Sequence, residues 1–313
     1  MKTTAPFNDL TPQPSSLMGR GCVGITGPAQ GWTVAALLAD AASRLRAAGV
    51  EAPRHEALLL LAHALGATKT HLLAHPDRPV EGEEAERFAS LVARRAAHEP
   101  YAYVVGEREF YGRGFLVDRR VLVPRPETEV LVEQALVALS ELRGHGVPKP
   151  VVVDVGTGSG VIACILALHA PEALVVAVDD STAALEVAEA NRRQLGLAER
   201  VRLMRGDLLG WLGSAADLVV ANLPYLPSSR IGALGPEVRE FEPRHALDGG
   251  QDGADLMRRL LAQAPARIRS GGSLLLEVDP PQVEAPADAL PAARRRVFQD
   301  LAGLDRVLRL DLP

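Results

Sequence analysis

Cysteine is scarce in this chain of 313 residues, with only Cys22 and Cys164 present. One lies near the N-terminus and the other inside an apolar helical pattern. They fit neither a disulfide framework nor a thiolate metal site, so a reducing cytoplasm is the simplest setting to expect. His55, His63, His71 and His75 lack the acidic or cysteine partners of a metal-ligand pattern, and no metal is expected. Basic charge is not in excess. The formal net charge is -5 and the sequence pI about 5.9, which counts against phosphate-rich substrates, since these call for a basic footprint. Lysine is nearly missing (Lys2, Lys69 and Lys149 only), a bias that carries no functional reading. Residues 1–31 have no apolar run long enough for a signal-peptide core or a membrane span. With Pro6, Pro12, Pro14 and Pro28 and no apolar periodicity, they are expected to form a disordered tail.

What is present suits a two-part α/β enzyme. A chain this long, 47% hydrophobic and 23% charged, can bury a sizeable core and is expected to divide once. Residues 32–100 carry helical apolar stripes, for example Leu58, Leu61, Ala62 and Leu65, and read as a small helical domain. Residues 101–124 read as strands around Gly106 and Gly112-Arg113-Gly114, a hairpin linking this domain to a catalytic domain over 125–313. Thr128 or a neighbouring carboxylate is placed to cap the helix that begins the second domain.

The candidate chemistry sits on two motifs. The apolar run Asp217–Ala221 delivers Asn222-Leu223-Pro224-Tyr225 to the end of a buried strand. There the Asn222 amide oxygen and the Leu223 carbonyl can accept both hydrogens of one planar NH2 group. Pro224 restricts Leu223 to extended geometry, and Tyr225 offers a flat face with a polar tip. Upstream, the strand Val151–Val155 runs into Gly156-Thr157-Gly158-Ser159-Gly160 and a helical pattern. Glycines there admit positive φ and the close approach of a ligand, and the helix N-terminus favours electron-rich atoms. A second apolar run ends in Asp179, placed to hold ribose hydroxyls. The glycine spacing departs from the dinucleotide fingerprint and suits S-adenosylmethionine.

In a mostly parallel sheet these turns share one edge, where ligands collect at the reversal of strand order. The run Val201–Asp207 reads as the third strand, with Asp207 or Leu208 set to meet an adenine ring. A methyl-donor site and an amine-recognising loop are therefore expected to face one another, with Asn222 next to both.

From about residue 33 onward the sequence resembles the HemK/PrmC-type protein-glutamine methyltransferases. The resemblance rests on Glu107–Gly112, Val123–Glu129, the glycine loop, Asp179-Asp180-Ser181, the Asn222 tetrapeptide, Phe241-Glu242-Pro243, Gly249–Gly253, Glu277 with Gln282, and Asp300–Gly303. It implies a class I, Rossmann-like methyltransferase fold. It further implies transfer of a methyl group from S-adenosylmethionine to the glutamine of the Gly-Gly-Gln loop of peptide chain release factors. Asn222, Pro224 and Tyr225 would be catalytic, and Leu223 and Phe110 would help wall the substrate cleft. The helical domain would grip the protein partner, with no stable nucleic-acid binding and no membrane.

The family's usual tetrapeptide is Asn-Pro-Pro-Tyr, and here Leu223 takes the second position. Asn-Leu-Pro-Tyr is similar to the motif of rRNA adenine dimethyltransferases, so an rRNA or DNA adenine methyltransferase is the alternative. A cofactor-binding module without catalysis is a third reading, weakened because the acceptor at 223 is a backbone carbonyl that any residue retains.

Overall fold

Short β-branched runs that are apolar on both faces pack best as buried parallel strands. In the computed structural model, which describes residues 32–283 and 289–313, these runs form the centre of the molecule. The tail expected over 1–31 lies outside the described residues.

The first segment is helical: α1 (Val34–Ala47), α2 (Pro53–Leu65), α3 (Lys69–Ala74) and α4 (Gly82–Ala96), with the two-residue strands β1 (Trp32–Thr33) and β2 (Pro79–Val80) paired antiparallel. The Thr33 hydroxyl accepts from Ala36 N to cap α1, and Gly66 closes α2 in the left-handed conformation. Leu37, Leu45, Leu60, Leu61, Phe88 and Val92 fill the core between them.

Tyr101–Val105, expected as strand, is instead helix α5. Pro100 sits at its N-cap and Gly106, at φ 79°, ends it. One helical turn between a proline and a glycine satisfies local backbone geometry before the alternating pattern begins. Strands β3 (Glu107–Phe110) and β4 (Arg113–Leu116) then form the antiparallel hairpin.

Helix α6 (Thr128–Gly144) opens the larger part. The order that follows is β5 (Val151–Val155), α7 (Val161–His169), β6 (Leu174–Asp179), α8 (Thr182–Gln194), β7 (Val201–Arg205) and β8 (Ala216–Ala221). Then come α9 (Ser228–Ile231), α10 (Pro236–Phe241), α11 (Asp255–Arg267), β9 (Ile268–Glu277), β10 (Arg294–Gln299) and β11 (Asp305–Asp311). The seven strands lie in the order β10-β11-β9-β8-β5-β6-β7, parallel except for β11. Successive residues face opposite layers. Val152, Leu218 and Val220 pack with α6 and α7, and Val153, Val219 and Ala221 with Leu260 and Leu261 of α11. All six residues of β8 are buried.

The chain leaves β5 for β6 and β7 on one side, then returns to place β8 on the other. That reversal opens a crevice at the carboxyl ends of β5 and β8.

Candidate active site

Register brings the two motifs together. Val155 pairs with both Val178 and Ala221, so Gly156, Asp179 and Asn222 emerge side by side from three adjacent strands. Gly156 has φ 72°, and a Cβ added to it would lie 3.1 Å from Leu223 Cδ2 and 3.8 Å from the Asn222 carbonyl oxygen. The glycine loop and the tetrapeptide thus pack directly on each other. Their cleft is lined by Gly156 to Ser159, Asp179, Asp207, Leu208, Asn222, Leu223 and Pro224 among others.

The loop is held from several sides. Gly156 N–H and Thr157 N–H donate to the Val178 carbonyl at 2.9 and 3.0 Å. Thr157 Oγ1 donates to the buried Asp154 at 2.6 Å. Asn191 Nδ2 donates to the Ser159 carbonyl at 2.8 Å, while its Oδ1 accepts Leu116 N–H of the hairpin at 2.7 Å. Asp179 Oδ2 accepts Gly158 N–H and Oδ1 accepts Ser181 N–H, each at 2.9 Å. Burial pushes the Asp179 carboxyl above its ordinary range, and these two backbone bonds oppose that. A carboxylate has about four acceptor sites, so Asp179 keeps acceptors for a ligand hydroxyl.

A Cβ at Gly158 would meet nothing within 4 Å, which leaves the space above the loop open to a ligand beside an acidic wall. This shape and donor–acceptor set fit an adenosyl cofactor. Gly160, expected in the same set, does not line the cleft; it sits at the N-cap of α7, where an added Cβ would lie 3.1 Å from Ala188 Cβ. Its role is close packing of α7 on α8.

Leu208 reaches the cleft through a left-handed turn at φ 50°. Trp211 holds that turn by donating to the Leu208 carbonyl at 2.8 Å. Asp207 also lines the cleft and pairs with Arg259.

Asn222 Nδ2 donates to Thr128 Oγ1 at 3.1 Å, which turns Oδ1 away from Thr128 as an acceptor. Thr128 or a neighbouring carboxylate was expected to cap α6; the carboxylate residue Glu127 takes the N-cap position but makes no side-chain cap bond. Glu129 accepts Tyr111 N–H at 2.9 Å, tying the hairpin to α6. Arg125 lines the cleft and pairs with the buried Glu242 at 2.6 Å.

Two placements differ from the sequence reading. Tyr225 does not line the cleft: its hydroxyl donates to Glu277 Oε1 at 3.3 Å and its carbonyl accepts Gln282 Nε2 at 2.8 Å. Its polar tip is drawn inward by a buried carboxyl. Phe110 likewise does not wall the cleft; it is 1% exposed in the main core, edge-on to Phe115 at 6.3 Å. On the buried face of the hairpin, area burial outweighs any use at the surface.

Thr128, Glu277, Asn191 and Trp211 were not singled out from sequence as site residues. Only Thr128 and Glu277 had a signal, as members of the matching stretches. Among the described residues no cluster of His, Cys, Asp or Glu could hold a metal ion, and no helix is long and apolar enough to cross a membrane.

Comparison with known proteins adds a consistent set of matches. Residues 36–106 match the PrmC N-terminal domain and residues 133–232 the methyltransferase small domain. The release factor glutamine methyltransferase of Cereibacter sphaeroides is 42% identical over 279 residues, 88% of this chain and 97% of that protein. The protein of the same name from Moorella thermoacetica is 43% identical over 279 residues, 88% of this chain and 96% of that protein. The catalytic domain of hMettl16, solved in complex with a MAT2A 3′UTR hairpin, aligns with a TM-score of 0.51 over 74% of this chain and 82% of that chain. At 14% identity it is similar in fold alone.

Proposed function

The chain belongs to the family of release factor glutamine methyltransferases, and from this we propose how its cleft works: the glycine loop and Asp179 hold S-adenosylmethionine while Asn222 and Leu223 present the glutamine of the Gly-Gly-Gln loop to it. The observation that carries the reading is the direct packing of Gly156 on Leu223, which sets the two half-sites edge to edge.

The donor supplies a methyl group already activated on a sulfonium. The acceptor is the difficulty, because an amide nitrogen shares its lone pair with its carbonyl. Asn222 Oδ1 and the Leu223 carbonyl, accepting both N–H hydrogens, orient the amide and return electron density to nitrogen. Pro224 holds these acceptors in place. In-line positioning of this kind supplies up to about 7–11 kcal/mol. Asp207 and Leu208 border the adenine, and the helical domain over 32–100 meets the protein substrate. Buried Cys164 is a free thiol, in keeping with a cytoplasmic setting.

The test is methyl transfer from labelled S-adenosylmethionine to purified release factor, to release factor with the Gly-Gly-Gln glutamine replaced, and to rRNA. Label on the first alone supports the reading; label on rRNA alone supports the adenine alternative.

A further inference from the structure

Thr128, at the start of α6, Asn222, beyond β8, and Glu277, the last residue of β9, are brought together by the fold although 94 residues separate the first pair. Thr128 and Glu277 are each 3% exposed. We propose that Thr128 and Glu277 are positioning residues, which fix the Asn222 amide so that Oδ1, and not Nδ2, meets the substrate nitrogen. The inference rests on the reading above, in which Asn222 is the acceptor.

The argument turns on hydrogen-bond direction. The two ends of an asparagine amide are nearly the same shape, but one accepts and the other donates. An amide turned the wrong way would set its NH2 against the NH2 of the substrate. A hydroxyl by itself does not choose, since it can donate to Oδ1 as well as accept from Nδ2. Above pH about 7, where it is ionised, the buried Glu277 carboxyl removes that freedom. Thr128 lies near enough to draw the Glu277 carboxyl down against burial, and Glu277 Oε2 is a buried acceptor without a hydrogen-bond partner among the described residues; being acceptor-only when ionised, it is the place for the single hydroxyl hydrogen. Thr128 Oγ1 is then left to accept, and it does so from Asn222 Nδ2 at 3.1 Å. Tyr225 donates to the same carboxylate at 3.3 Å, so the chain of bonds runs in one direction from both residues of the tetrapeptide to Glu277. Neither Thr128 nor Glu277 is asked to touch substrate.

The experiment compares Thr128→Val, Thr128→Ser, Glu277→Gln and the double variant Thr128→Val/Glu277→Gln with Asn222→Ala on release factor, measuring kcat, S-adenosylmethionine Kd and thermal midpoint. Thr128→Val and Glu277→Gln are each expected to lower kcat about tenfold or more, as for loss of a well-oriented hydrogen bond, with cofactor Kd within about twofold. Thr128→Ser keeps the hydroxyl and is expected to retain most activity. The double variant is expected to be no worse than either single one, because both act through the same amide. Asn222→Ala inactive with Glu277→Gln near wild-type, or losses that simply multiply, would overturn the inference while leaving the acceptor role standing. An active Asn222→Ala would remove that role and the inference with it. Should Thr128→Val fail to fold, Glu277→Gln and Thr128→Ser decide.

Discussion

Arg95 of α4 and Glu237 of α10 form a 2.6 Å ion pair between residues 142 apart in sequence. The same guanidinium also binds Glu56 of α2. The helical segment is thereby fastened to the stretch that directly follows the Asn222 tetrapeptide. The Arg95 side chain is 3% exposed and that of Glu237 42%, so the two ends of the bond respond differently to mutation. Arg95→Ala is expected to cost about 2 kcal/mol, because it removes a buried side chain that packs between α2, α4 and α10 and ties both Glu56 and Glu237. Glu237→Gln should cost less than about 1 kcal/mol. Urea unfolding of both variants checks this, and equal effects would contradict it.

Asn222→Ala is expected to lower kcat by about 2.7–4 kcal/mol of transition-state stabilisation, by analogy with loss of an oxyanion-hole donor. Cofactor affinity should stay within a few-fold, since the proposed donor site is the glycine loop and Asp179. Steady-state kinetics with parallel titration calorimetry separates the two, and retention of more than a tenth of wild-type kcat would be incompatible with the acceptor role.

Asp179→Ala is expected to weaken S-adenosylmethionine binding by about 1–3 kcal/mol. Part of that loss is indirect, because the carboxylate also fixes Gly158 N–H and Ser181 N–H. Gly158→Val should weaken binding further: it forces a β-branched residue into φ 55° and fills the open space above the loop. Calorimetry that finds Gly158→Val binding as the wild type would exclude the loop as the donor site.

Leu223→Pro would restore the family's usual tetrapeptide, and activity on release factor is expected to persist because the backbone carbonyl survives. The structure adds a cost: Leu223 is 7% exposed and packs in the core beside Gly156. Loss of part of that side chain is expected to lower stability by about 1–2 kcal/mol. Thermal melts and methylation assays on one preparation test both halves.

Burial holds the Glu277 carboxyl up at about 7; Thr128, Arg306 and Tyr225 pull it back and Glu127 pushes it further up. Asp154 is held at about 7 by burial as well. A carboxyl raised on folding binds more protons in the folded state than in the unfolded one, so stability falls as pH rises through the window from the ordinary carboxyl range to 7. Each group contributes a slope of at most about 1.4 kcal/mol per pH unit. Glu277→Gln should flatten the decline, and unfolding free energies at pH 5, 6 and 7 that run parallel to wild type would contradict this.

The strands that carry the site were legible because each is a short apolar run ending in turn chemistry: Val151–Val155 before Gly156, Leu174–Asp179, and Ala216–Ala221 before Asn222. Their convergence followed from the rule for parallel sheets. What was not legible depends on distant partners. Thr128 looked like a helix cap because only its neighbours in sequence were visible, whereas its hydroxyl meets Asn222 through the fold. Tyr225 and Phe110 were assigned to the cleft by motif, and burial beside Glu277 and Phe115 drew them elsewhere. Tyr101–Val105 has strand composition, yet Pro100 and Gly106 fit a single helical turn between them.

The central claim, that the loop at Asn222 presents a release-factor glutamine to the donor held by the glycine loop, is tested most directly by site mapping of the methyl group. Wild-type protein, labelled S-adenosylmethionine and release factor are incubated together, and the product is digested and sequenced by mass spectrometry. The account predicts one methyl group on the side-chain amide of the Gly-Gly-Gln glutamine, absent with Asn222→Ala. A methyl group on any other residue, or the same product from Asn222→Ala at the wild-type rate, would contradict it.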